Sequence, residues 1–118
     1  MARTLVFVDD NEAIVGIMEM ELSGHYNTKT FTDPYNALEY IQNNKGAIDI
    51  LLTDYMMPQM NGLQLIELVK GIDQSIRTII LTGYRQNVGE IPKSLCNLIL
   101  DKNVLVDNNN LIEILNNN

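Results

Sequence analysis

Three carboxylates, one hydroxyl and one ammonium follow apolar runs in this 118-residue chain. Asp9 and Asp10 come after Thr4-Leu5-Val6-Phe7-Val8, and Asp54 comes after the run from Ile48 to Thr53. Thr82 closes the run that begins at Arg77, and Lys102 follows Leu98-Ile99-Leu100-Asp101. Carboxylates packed together repel and raise one another's pKa values, an effect that a hard dication relieves. Mg2+ suits such a site, because it takes oxygen ligands in an octahedron and keeps several waters. A carboxylate such as Asp54 can also act as a nucleophile and form an acyl phosphate. Phosphoryl transfer depends on positioning and on positive charge around the equatorial oxygens. The metal and Lys102 can supply that charge, and the Thr82 hydroxyl can donate to a phosphoryl oxygen.

To bring these groups together, the apolar runs must be strands of one sheet. Short continuous apolar runs suit strands buried on both faces. The stretch Tyr26–Phe31 alternates and is rich in Thr, as on a more exposed edge strand. Between the strands lie helical patterns: Ile14, Ile17, Met18 and Leu22, stopping near Gly24, and Ala37, Leu38 and Ile41, opened by Thr32-Asp33-Pro34. A third helix is expected from about Asn61 to Lys70, closed by Gly71, and a short last one around Leu111–Leu115, with Asn116-Asn117-Asn118 fraying. Strands alternating with helices imply an α/β fold, a doubly wound five-stranded parallel sheet with helices on both faces. Ligands of such sheets gather at the C-terminal strand ends. Between Gly83 and Cys96 a fourth helix should form, yet Gly89 and Pro92 interrupt it, so a short or irregular helix is expected, restarting at Pro92. The length suits one domain over residues 1–118.

Each residue also has a plainer role open to it. Asp9 or Asp10 can cap the first helix, Asp54 can be a turn residue before Tyr55, Thr82 can be a strand residue and Lys102 a solvated lysine. Convergence on successive strand ends favours the chemical reading, since capping requires no acid after strand three and no lysine after strand five. The totals narrow the field further. A net charge of −7 argues against direct nucleic-acid binding. No apolar run approaches the ~20 residues that cross a bilayer and no signal-peptide pattern opens the chain, so a cytoplasmic protein with no membrane contact is expected. Cys96 is the only cysteine, expected as a buried inert thiol, and His25 the only histidine, expected in a surface turn. Zinc sites and histidine-dependent triads need more than these. An aspartyl phosphatase of the haloacid dehalogenase type needs a second Asp two residues after the nucleophile, where Met56 stands. No glycine-rich phosphate loop follows the first strand.

Over essentially its whole length the chain resembles the receiver domain of two-component response regulators. Val6-Phe7-Val8-Asp9-Asp10-Asn11 is similar to that family's acidic pair, and Leu51-Leu52-Thr53-Asp54-Tyr55-Met56-Met57-Pro58-Gln59-Met60-Asn61-Gly62 to its phosphoacceptor loop. Ile80-Leu81-Thr82-Gly83 and Asp101-Lys102 match its switch hydroxyl and its lysine. The resemblance implies the flavodoxin-like strand order 2-1-3-4-5, of which a member of this family is itself a standard example. It implies phosphorylation of Asp54 by a histidine kinase or histidine phosphotransfer protein, with the domain catalysing only its own phosphorylation and dephosphorylation. It implies Mg2+ held by Asp9, Asp10, Asp54 and the backbone carbonyl of Met56, and contact of Lys102 and Thr82 with the phosphoryl group. An output domain or protein target and a homodimer through the fourth-helix face are further partners such a domain can have. Two positions depart from the pattern. Ile99 stands where the family places Tyr or Phe, and Asn103 stands where it places a cis-proline. A non-proline cis bond costs ~3–4 kcal/mol, so a trans Lys102–Asn103 bond is expected. The competing reading is a receiver-like interaction module that works without phosphorylation.

Overall fold

The computed structural model describes residues 2–83, 88–103 and 108–117. Along the chain run β1 (Thr4–Val8), α1 (Glu12–Leu22), β2 (Asn27–Phe31), α2 (Pro34–Asn43) and β3 (Ile50–Thr53). Then come α3 (Gly62–Ile72), β4 (Arg77–Thr82), β5 (Leu98–Asp101) and α4 (Asn108–Asn116). All strand pairings are parallel, in the order β2-β1-β3-β4-β5. This is the flavodoxin-like α/β fold, with β2 at an edge as its mixed composition required.

Alternation along the strands divides the core in two. Val6, Val8, Leu51 and Ile80 face one way and pack with Ala37 and Ile41 of α2 and Leu65, Ile66 and Val69 of α3. Leu5, Phe7, Leu52, Ile79 and Leu81 face the other way and pack with Met18 and Leu22 of α1 and Leu111 and Leu115 of α4. Successive side chains of a strand point to opposite faces, so a run buried on both sides has no polar positions to spare.

The first three helices start on side-chain caps. Asn11 accepts hydrogen bonds from the amides of Ala13 and Ile14, Asp33 accepts from Tyr35 with Pro34 next in line, and Asn61 and Gln64 form a reciprocal capping box. Gly46, at φ +88°, supplies the left-handed residue on which the chain turns from α2 toward β3.

The structure corrects several expectations. Gly71 does not close α3; the helix runs through it to Ile72, with Asp73 as the closing residue. Gly costs a helix about 1 kcal/mol against Ala, and burial of Leu65, Ile66 and Val69 against the sheet outweighs that. Asn116 lies in the last turn of α4 rather than fraying: its side chain accepts from the Tyr26 hydroxyl at 2.6 Å, and Arg77 donates to the Leu115 carbonyl at 3.0 Å. The helix expected between β4 and β5 is absent from residues 88–97, where Leu95 and Cys96 both donate to the Pro92 carbonyl in one isolated turn. The part of that expectation that falls on residues 84–87 lies outside the described residues. A cleft of about 670 Å³ opens here, lined by Val88, Ile91, Lys93, Cys96 and Ile99 among others. Asn97 then starts β5: its side chain accepts from the Thr78 amide at 2.9 Å and its amide donates to the Thr78 carbonyl. No described peptide bond is cis, so the Lys102–Asn103 bond is trans as expected. Cys96 is buried and His25 sits exposed in the turn after α1.

Candidate functional site

Sheet register sets the level of each functional group. Val8 pairs with Thr53, Thr53 with Ile80, and Thr82 with Asp101. Asp9 and Asp54 therefore leave adjacent strands at the same height, each held by a continuing ladder bond. The Asp9 amide donates to the Phe31 carbonyl at 3.1 Å, and the Asp54 amide donates to the Val8 carbonyl at 2.9 Å. Both acids are buried, whereas Asp10 is exposed at the rim.

Neither Asp9 nor Asp10 caps α1, since Asn11 does. Asp9 is instead turned into the site: its Oδ1 accepts from the Asn11 amide at 2.9 Å, and its Oδ2 lies 3.0 Å from Lys102 Nζ. The same ammonium donates to Asp54 Oδ2 at 3.3 Å. Asp54 Oδ1 accepts from the Tyr55 amide at 2.8 Å. Lys102 thus bridges acids from two strands across the sheet. The lysine stem lies close to Gly83, directly after the buried Thr82.

Electrostatics follow from this packing. Burial pushes the Asp54 carboxyl above the usual carboxylate range, the negative charge of Asp9 adds to the rise, and Lys102 offsets part of it. For Lys102, burial pulls its pKa down, but the two carboxylates more than reverse that, and it is held above its ordinary value. One ammonium does not balance this set of acids. Carboxylate oxygens of Asp9, Asp10 and Asp54 come within 4.8 Å of one another. Asp9 Oδ2 is buried without a well-aligned hydrogen bond, and its close contact is the ion pair with Lys102. An all-oxygen donor set with an under-satisfied buried lone pair and excess negative charge fits a hard divalent cation.

A cleft of about 410 Å³ opens over Asp54, lined also by Met56, Gly83 and Lys102. A second, of about 490 Å³, runs beside it past Asp10, Tyr55, Met56, Pro58 and Asn61. Met56 is 53% exposed between them. Of the residues singled out from the sequence, Asp10, Asp54, Met56 and Lys102 line these clefts, Asp9 is buried against Lys102, and Thr82 is fully buried at the end of β4.

Two supporting residues escaped the reading of site chemistry. Thr53 is fully buried, and its hydroxyl donates to the Asp54 carbonyl at 2.9 Å. A β-branched hydroxyl residue at a strand end carries no special signal, because Thr is common in strands anyway. Gly62 opens α3 against the backbone of Asp54: a Cβ there would collide with the Asp54 carbonyl oxygen and sit 3.1 Å from Tyr55 Cα. Its position in the loop motif was visible, its physical reason was not.

The model of the response regulator receiver domain family matches residues 5–116. The two-component response regulator ARR12 of Arabidopsis thaliana is 33% identical over 78 residues, covering 65% of this chain and 13% of that protein. The response regulator receiver protein CpdR of Brucella abortus is 29% identical over 84 residues, covering 71% of this chain and 68% of that one. The chain thus spans about one eighth of ARR12 and about two thirds of CpdR. A CheY-like receiver domain from Methylobacillus flagellatus superposes with a TM-score of 0.85 at 18% identity, over 99% of this chain and 98% of that one. That last likeness is one of fold. With the family model running from the first strand into the last helix, the chain belongs to the response regulator receiver domain family.

Proposed function

We propose that this receiver domain is the phosphoacceptor switch of a two-component system, taking a phosphoryl group on Asp54 in a Mg2+-dependent reaction. The observation that carries this reading is the Lys102 ammonium placed between Asp9 and Asp54, 3.0 and 3.3 Å away, beneath an open cleft. The donor is a phosphohistidine on a histidine kinase or histidine phosphotransfer protein. A carboxylate oxygen of Asp54 attacks the phosphorus; the O–P bond forms as the P–N bond breaks. The imidazole nitrogen leaves with the bonding pair and takes up a proton. Hydrolysis by water later restores the carboxylate and releases inorganic phosphate.

Asp9, Asp10, Asp54 and the Met56 carbonyl would hold the magnesium ion, which when bound supplies positive charge at the transferring oxygens. Lys102 would neutralise the same charge, and the Thr82 hydroxyl would donate to a phosphoryl oxygen. Lys102 also offsets part of the rise in the Asp54 pKa that burial and Asp9 cause, which favours the carboxylate form that a nucleophile requires. Phosphorylation adds negative charge and strong acceptors. The response of Thr82 and its neighbours shifts a conformational equilibrium toward the β4–β5 side of the molecule by about 1–3 kcal/mol. There Ile99, packed at the edge of the α2–α3 core, replaces the family's aromatic residue.

Intact mass after incubation with acetyl phosphate tests the reading. One phosphoryl adduct is expected, requiring magnesium and absent in Asp54→Asn. Absence of an adduct with acetyl phosphate and with a phosphorylated histidine donor would transfer the assignment to the phosphorylation-independent interaction module.

A further inference from the structure

Asp54 Oδ1 and Oδ2 are not equivalent: the Tyr55 amide donates to the first and Lys102 to the second. That amide belongs to the same peptide unit as the Asp54 carbonyl. A trans peptide is planar, with its C=O and N–H pointing in opposite directions. Whatever fixes the carbonyl therefore aims the N–H. The carbonyl is fixed twice. The buried Thr53 hydroxyl donates to it at 2.9 Å, and the bare Cα of Gly62 lets the first turn of α3 press against it. The Gly62 amide also donates to the Tyr55 carbonyl at 2.7 Å, which holds the far end of Tyr55. Thr53 and Gly62, neither of which lines the cleft, thus hold the Asp54 carbonyl and the following Tyr55 carbonyl.

We propose that Thr53 is a positioning residue for phosphoryl acceptance at Asp54. Its hydroxyl orients the Asp54–Tyr55 peptide, whose N–H holds Oδ1 and so presents Oδ2 toward Lys102. The inference rests on the phosphoacceptor reading for its kinetic consequence, but its structural half stands apart from it. Thr53→Val keeps the shape and removes the hydroxyl; Thr53→Ser restores the donor. A misplaced reacting group loses up to ~100-fold in rate.

The experiment compares the rate of acylation by acetyl phosphate, at saturating magnesium, in the wild-type chain and both variants. Alongside it, hydrogen exchange of the Tyr55 amide is followed by NMR. Thr53→Val is expected to acylate ~10- to 100-fold more slowly, Thr53→Ser within about threefold of wild type, and the Tyr55 amide to exchange at least ~10-fold faster in Thr53→Val. Generalised loosening would speed exchange across the α3 and β3 amides together and would not be rescued by serine. Acylation of Thr53→Val within twofold of wild type, or of Thr53→Ser as slow as Thr53→Val, overturns the proposal. If the wild-type chain accepts no phosphoryl group, the phosphoacceptor reading fails on its own. The amide comparison still decides the positioning role, which is wrong if Tyr55 exchanges equally in all three. Should Thr53→Val not fold, Thr53→Ala carries the same comparison against Thr53→Ser.

Discussion

The two sides of the sheet are built to different standards. Around β1 and β3, each following helix starts on a side-chain cap, and the acids at the strand ends are fixed by backbone donors at 2.8–2.9 Å. Around β4 and β5, residues 88–97 form one isolated turn at Pro92 in place of a helix, and a cleft of about 670 Å³ stands open. At the rim, Lys102 reaches across from the β5 side to Asp9 and Asp54. Under the proposed phosphoacceptor function, the difference separates tasks. Nucleophile and metal ligands need sub-ångström placement, which capped helices and buried ladders provide. A readout needs a second arrangement of comparable energy, and regions with few packed contacts provide that.

The largest effect should come from removing Lys102. Lys102→Ala removes charge from the transferring oxygens and is expected to slow acylation of Asp54 by ~100-fold or more, measured by intact mass over time. A rate within a few-fold of wild type would mean that the rigid side acts alone.

Next in size are two glycines, Gly62 against the Asp54 backbone and Gly83 beside Lys102. Gly62→Ala drives a Cβ into the Asp54 carbonyl, and urea melts should show about 1–3 kcal/mol lost. Gly83→Ala meets nothing closer than the Lys102 Cδ at 3.9 Å, and its loss should stay within about 0.5 kcal/mol. Equal losses would erase the distinction between the sides. Asn61→Ala, which removes the capping box of α3, should cost about 1 kcal/mol in the same assay.

The smallest effect concerns charge. Burial and Asp9 raise the pKa of Asp54 in the folded chain above its unfolded value. The stability this gives is full below the unfolded pKa and is lost as pH rises through the raised folded pKa. At neutral pH without metal, Asp54→Asn should therefore melt higher than wild type. The gap should close as pH falls toward 3.8 and below, followed by thermal melts in EDTA across pH. A lower melting temperature for Asp54→Asn at neutral pH would show that the carboxylate is a net stabiliser through Lys102.

Much of the strand framework was legible from residue pattern. Apolar runs ending in Asp9, Asp54 and Thr82 marked strand ends, and Asp33-Pro34 marked the start of α2. The cap of α1 was harder, because Asp9, Asp10 and Asn11 are all good caps and the strand register alone decides which one remains free for the job. Gly71 misled, because a glycine near a helix end looks like a stop, whereas the burial of Leu65, Ile66 and Val69 carries the helix through it to Ile72. Thr53 was invisible as a site residue, since its role lies in a peptide plane rather than in its own reactivity. Strand order came from family resemblance, as alternation of elements fixes parallelism and handedness but leaves the permutation of strands open. Gly89 and Pro92 correctly warned of an irregular helix between β4 and β5, without showing that residues 88–97 would form a lone turn beside an open cleft.

The sheet also has two unlike margins, and they bear on how the protein behaves in concentrated solution. One margin is β2, whose Asn27-Thr28-Lys29-Thr30 puts a cation and polar groups where another chain would have to pair. The other is β5, whose Leu98-Ile99-Leu100 carries no charge before Asp101. An uncharged apolar margin is a template for intermolecular strand pairing, and lysine on the opposite margin discourages it. Mutual repulsion from the net charge of −7 holds molecules apart at neutral pH. Near the isoelectric point of about 4.4 that repulsion vanishes, so light scattering should rise there first, through the β5 margin.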